Sequence, residues 1–173
     1  MTVNLTRILA QLAKITKKRN NKLSLTKTGE KLDSNNQRLL ETIFKTMATR
    51  FKWAYYDRFG DNDIGQLGYG FSLILLHKYG DKKRLDIFYA EKYFKAFPNL
   101  MVFTDSPFCK TPKHHSYSCY SMRTFNRFMH YFGLVKIEKV EDKWDSDLLI
   151  SKTELFDKLI KVRQHRIEEP VKI

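Results

Sequence analysis

The sequence predicts a mainly α-helical α+β fold in which small β-hairpins connect the helices, and three observations carry that expectation. Apolar residues recur at spacings of three and four in several separate stretches, the pattern of helices that turn one face inward. Two distant segments, Leu23-Ser-Leu-Thr-Lys-Thr-Gly-Glu and Leu148-Leu-Ile-Ser-Lys-Thr-Glu-Leu, each read as a short strand running straight into a capped helix. Each is preceded by an amphipathic helix and a polar hairpin, so one local grammar occurs twice. Finally, 173 residues with 42% hydrophobic content, 13 Phe and 9 Tyr suffice to bury a real core.

The elements follow in order. Leu5, Ile8, Leu9, Leu12 and Ile15 form a helical face, with Arg7, Gln11 and Lys14 on the other side. The polar run from Lys17 to Lys22 reads as a hairpin tip because its two Asn residues tolerate positive φ, and Leu23-Ser-Leu returns as a strand. Thr26 is placed to cap the next helix, and residues 37–51 repeat Leu39, Leu40, Ile43, Phe44 and Met47 at helical spacing. Residues 53–65 make a loop dense in aromatics and acids, ending at Asp63-Ile-Gly-Gln66, a capping-box spacing that predicts a helix running from there to about Tyr79. Residues 85–97 form another helix, halted by Pro98, and residues 107–117 a loop. A further helix spans 118–132, with Phe125, Phe128, Met129 and Phe132 inward and Arg123, Asn126, Arg127 and His130 outward. Strands at 134–140 and 147–150 flank a turn at 141–145, Ser151-Lys-Thr-Glu154 opens a last helix to about Val162, and 164–173 is a tail. The domain expectation is therefore 1–52 followed by 53–163.

The net charge of +13 is concentrated. Residues 1–32 hold eight cations against one acid and residues 106–136 hold five against none, so these two segments carry 12 of the 13 net charges. A polyanion is the simplest partner for such clustering, since neutralising phosphates releases counterions. No apolar run is long enough to span a bilayer and no signal-peptide pattern opens the chain, which predicts a cytoplasmic protein with no membrane partner. Cys109 and Cys119 are too few for a disulfide framework and are expected as thiols.

The helices near 66, 85 and 118, followed by a hairpin and a capped helix, resemble the winged helix-turn-helix superfamily over residues 66–163. The resemblance implies that the helix at 118–132 enters the DNA major groove and presents Arg123, Asn126 and Arg127, types that hydrogen-bond base edges and phosphates. Two departures stand out: the wing tip holds Glu141, Asp142, Lys143 and Asp145, net negative, and the loop before the reading helix is long. Residues 5–32 resemble the back half of the same fold, with a basic wing at Lys17, Lys18, Arg19 and Lys22 and the signature Leu-x-Leu-Thr-x-x-Gly-x-x-Leu from Leu23 to Leu32. No front helices precede it; either a later helix such as 37–51 completes the unit, or the chain is a fragment or trimmed descendant of a longer protein. Residues 53–98 also resemble uncharacterised bacterial proteins of mobile elements, which implies no activity.

Catalytic and metal patterns are weak. Cys109, His114, His115 and Cys119 gather four potential zinc ligands, but their spacing matches no common finger, and a loop with a partly buried thiol is the favoured reading. Asp57, Asp61 and Asp63 suit turns and caps better than a cation loop, because the closing ligands are missing. There is no P-loop, G-x-S-x-G or H-E-x-x-H, and Gly68-Tyr-Gly70 lacks a third glycine. Trp53, Tyr55, Tyr56 and Phe59 read as core aromatics rather than a stacking platform for single strands. The expectation is a non-enzymatic, cofactor-free and metal-free binding protein for duplex DNA, regulatory or linked to mobile elements, with no small-molecule substrate. The alternative is a protein-interaction module on a winged-helix scaffold.

Overall fold

In the computed structural model the described residues are 2–55, 57–102, 111, 113–142 and 146–163, with the side chain of Thr2 excepted. Among them the chain forms seven α-helices, a π-helical segment, a 3₁₀ turn and two small antiparallel sheets. It begins with α1 (Thr2–Leu12), whose Leu5, Ile8 and Leu9 face inward and whose Asn4 and Arg7 are exposed. Strands β1 (Thr16–Arg19) and β2 (Lys22–Leu25) pair in a hairpin with Arg19 opposite Lys22. Its tip is Asn20-Asn21 alone, both at positive φ (47° and 58°), the conformation that a two-residue type I′ turn requires to match strand twist.

Helices α2 (Lys27–Asp33) and α3 (Asn36–Thr49) follow, the first capped by Thr26, which accepts from Gly29 N at 3.0 Å, the second by Asn35. Helix α3 packs on both α1 and α2. The second unit comprises α4 (Tyr69–Tyr79), β3 (Arg84–Leu85), α5 (Asp86–Ala96), the 3₁₀ turn Pro98–Leu100, α6 (His114–Ser121), β4 (Val135–Lys139), β5 (Leu148–Lys152) and α7 (Glu154–Leu159). Helix α6 continues directly into the π-helical segment Met122–Met129. The sheet order is β3-β5-β4, so the short strand between α4 and α5 pairs with the last strand, Arg84 opposite Ile150. One buried cluster links the two units, from Leu9 and Met47 through Trp53, Ile64 and Phe128 to Ile150 and Phe156.

Three predicted boundaries are corrected. Helix α4 begins at Tyr69 rather than near Asp63, because Gly65 and Gly68 both sit at positive φ (81° and 75°) and break the helical path. Gln66 is not part of a capping box; its amide spans the loop instead, accepting from Trp53 N at 3.0 Å and donating to Phe51 O at 2.8 Å. A Cβ on Gly68 would lie 2.5 Å from the Phe97 ring, which requires glycine there. Helix α6 starts at His114, inside the expected loop, and Ser151 belongs to β5, leaving Thr153 to cap α7 by accepting from Phe156 N at 3.2 Å.

Once the caps are aligned at Thr26 and Thr153, the two units share their main-chain geometry. Each leading helix ends in a left-handed residue, Lys14 (φ 58°) or Gly133 (φ 67°). Around it Lys14 N donates to Gln11 O and Ile15 N to Ala10 O, matched by Gly133 N to His130 O and Leu134 N to Met129 O. That pair of bonds is the Schellman ending, which satisfies the last carbonyls of a helix. Each hairpin then returns to a Thr whose hydroxyl donates to the left-handed residue's carbonyl, Thr26 to Lys14 O (2.6 Å) and Thr153 to Gly133 O (2.7 Å).

Candidate nucleic-acid interface

The basic hairpin lies in the open. Lys17, Lys18, Arg19 and Lys22 are all exposed on β1 and β2. Arg19 and Lys22 face each other across the ladder, and like charges directly opposite destabilise a strand pair by a few tenths of a kcal/mol. Helix α1 leads into this hairpin through the left-handed Lys14 (φ 58°); Asn4, Arg7 and Lys14 are exposed, and Gln11 is half-buried. Arg7 donates to Asn4 Oδ1 at 2.8 Å, so the first two are held together. Lys27 and Lys31 on α2 are also exposed, and Glu30 is the single acid between Thr2 and Lys31.

The second basic segment is different, and the reading face expected on residues 118–132 does not form. Arg123 is 0% exposed and ion-paired with the buried Asp57. Its guanidinium also donates to Asn62 O and Oδ1 (both 2.7 Å) and to Gly60 O (2.9 Å), so it is a clamp that holds the 57–64 loop on the helix. The physical reason is tertiary: the acidic loop covers that side of the helix, while apolar Met122 next to it is left 39% exposed. Arg127 is partly buried and donates to Trp53 O (3.1 Å) and Tyr55 O (2.7 Å). Asn126 is partly buried too, and with Arg127 and the exposed His130 it lines a cleft against α1 rather than an outer surface. The π-helical turn contributes to this arrangement, since its wider winding moves side chains off the 3.6-residue wheel.

Cys119 is fully buried, its thiol pushed up to about 12 by desolvation against the opposing influence of Arg123, so it stays protonated and unreactive. Asp86 is likewise raised by burial, although Ser121 Oγ and the amides of Ile87 and Leu148 donate to it. It ties α5 to α6 and β5. Cys109 lies outside the described residues, as do Tyr56, Lys143 and Asp145, and among the described residues no group of three or more His, Cys, Asp or Glu side chains converges on a metal position. Trp53 is buried and donates to Met47 O at 2.7 Å, whereas Tyr55 is exposed at the cleft mouth. No helix among the described residues is long and apolar enough to cross a membrane.

Sequence reasoning placed Arg7, Gln11 and Lys14 on the outer side of α1 but gave them no role. They precede the basic hairpin as the 114–129 helix precedes the second hairpin. No known protein family matches the chain, and no curated protein or solved structure matches it either.

Proposed function

We propose that this chain is a non-enzymatic duplex-DNA-binding protein that docks through its first unit. Helix α1 lies in the major groove with Arg7, Gln11 and Lys14 toward base edges and phosphates, and Lys17, Lys18, Arg19 and Lys22 grip the adjacent backbone. The observation that carries this reading is the shared geometry: the α1-led unit has the Schellman ending, hairpin and capped helix of the second unit, yet its Arg7 is exposed where the helix before the second hairpin buries Arg123 and half-buries Arg127. The winged-helix reading of the second unit is supported by its α4-β3-α5-α6-β4-β5 order and by the pairing of β3 with β5. In this account that unit is the scaffold on which α1 and α3 rest. The protein-interaction alternative calls for an exposed apolar patch on the Phe-rich helices, where Phe94, Phe125 and Phe128 are buried and Ile87 and Met122 are exposed.

The test is fluorescence anisotropy of a labelled duplex titrated with protein across salt from about 50 to about 200 mM. Four to six phosphate contacts predict a log–log slope of about −4 to −5. Absence of binding at the lowest salt, or a slope near zero, removes the proposal.

A further inference from the structure

The end of α4, strand β3 and the first two turns of α5 bring three cations onto one pair of aromatic rings. Tyr79 and Phe88 meet edge to face with centroids 5.2 Å apart. The Arg84 guanidinium lies 4.6 Å from the Phe88 centroid and 5.6 Å from that of Tyr79, and Lys92 Nζ lies 4.8 Å and 5.1 Å from the same two. Lys78 Nζ is 5.3 Å from the Tyr79 centroid. The three charges therefore lie within about 11 Å of one another, close enough to repel until an anion neutralises them.

None of the three makes an ion pair with a described residue. Asp81 pairs with Lys152 at 3.0 Å, and Asp86 accepts from Ser121 and from the amides of Ile87 and Leu148. Glu91 lies round the helix from Lys92, where it acts on Tyr117. Two donors at the cluster are also buried without a partner among the described residues, Arg84 Nε and the hydroxyl of the fully buried Tyr89. Burial pushes that hydroxyl up to about 12, with Arg84 acting the other way, so it keeps its proton. Arg123 provides the contrast, since Asp57 and backbone carbonyls satisfy its guanidinium completely enough to bury it.

We infer that this cluster binds a small polyphosphate, the linked phosphoryl groups of a nucleotide or of a free condensed phosphate. Cations together with N–H and O–H donors that lack acceptors are the complement of phosphoryl oxygens. Three positive charges match an anion of three or more charges better than a carboxylate or a single phosphate. The residues belong to the second unit, and the inference does not use the DNA-docking reading.

Isothermal titration of the full chain with sodium pyrophosphate, ATP and inorganic phosphate at one low ionic strength tests it. One pyrophosphate should bind, at least about tenfold more tightly than phosphate. ATP as tight as pyrophosphate identifies the phosphate chain as the ligand, and tighter ATP identifies a nucleotide. Arg84→Gln/Lys92→Gln should weaken pyrophosphate at least about tenfold, with circular dichroism reporting that the fold is kept, and Lys92→Gln alone about threefold. The Arg84 Nε–H resonance should shift as pyrophosphate is added. Lys17→Ala/Lys18→Ala/Arg19→Ala should leave pyrophosphate within about twofold while weakening DNA binding. Pyrophosphate bound no more tightly than phosphate, an unaffected Lys92→Gln, or loss of pyrophosphate in the hairpin variant each overturns the inference. So does duplex binding weakened as much as pyrophosphate binding in Arg84→Gln/Lys92→Gln, which would assign the cluster to the DNA backbone.

Discussion

The two units of this molecule are built on one backbone plan and put it to opposite uses. In the second unit the cap position plus three is Phe156, fully buried, and the hairpin gains a third strand that seats Ile150 in the core. In the first unit the corresponding residue is Gly29, whose added Cβ would stand 2.2 Å from Ile15 O, and the hairpin has only its own two exposed strands. The left-handed helix ending is glycine in the second unit and lysine in the first. The cations differ in the same sense: Arg123 is neutralised inside, while Lys17, Lys18, Arg19 and Lys22 remain in solvent. Where burial specifies the residues, stability is being served; where costly or repulsive groups persist on a surface, a partner is the better explanation.

The comparison is most strongly tested at the two positions three residues past the caps. Phe156→Ala should cost about 3 to 5 kcal/mol in urea unfolding through the cavity it leaves. Arg123→Met leaves Asp57 as a buried carboxylate without its cation and should cost about 3 to 5 kcal/mol as well. The double change with Asp57→Leu should recover much of that loss. Gly29→Ala should cost a smaller 1 to 3 kcal/mol, roughly, because the backbone of α2 and the hairpin must separate. Amide exchange should then rise in residues 16–33 with the second unit still protected; exchange spread evenly over the chain would mean that the two units do not differ as described.

Smaller effects test the shared plan itself. Thr26→Ala and Thr153→Ala each remove an N-cap and a bond to the left-handed residue's carbonyl, so similar losses of about 1 to 2 kcal/mol are expected. A loss at only one of them would break the equivalence. Smallest is the left-handed position: Lys14→Gly should stabilise by about 1 kcal/mol and Gly133→Ala destabilise by about as much, both read from denaturation midpoints.

Much of this arrangement was legible in the sequence and the rest was hidden for identifiable reasons. The period-3.6 stripes located α1, α3 and α5, and the Asn pair marked the first hairpin because few other residues accept positive φ. The start of α4 was misplaced because Asp63 and Gln66 have capping-box spacing, while Gly65 and Gly68 are left-handed and lie close against Thr124 and Phe97. Strand β3 is two residues long and exists only through pairing with β5, which no local pattern reveals. The outward placement of Arg123 is the costliest misreading: hydropathy puts an arginine outside, and only a loop 66 residues earlier in the chain brings it in. The cleft was equally invisible, since its lining comes from α1, Met47 of α3, Phe51 and Tyr55 after it, and residues 126–131.

The most direct test of the account compares three variants in one duplex-binding assay at fixed low salt. Arg7→Ala/Gln11→Ala and Lys17→Ala/Lys18→Ala/Arg19→Ala should each weaken binding at least about tenfold, and the hairpin variant should flatten the salt slope by about 2 to 3. Asn126→Ala/His130→Ala, on the helix expected from sequence to read the groove, should bind within about twofold of the unaltered chain. The reverse ranking, with the α1 and hairpin variants unaffected and the Asn126/His130 variant impaired, would contradict the account.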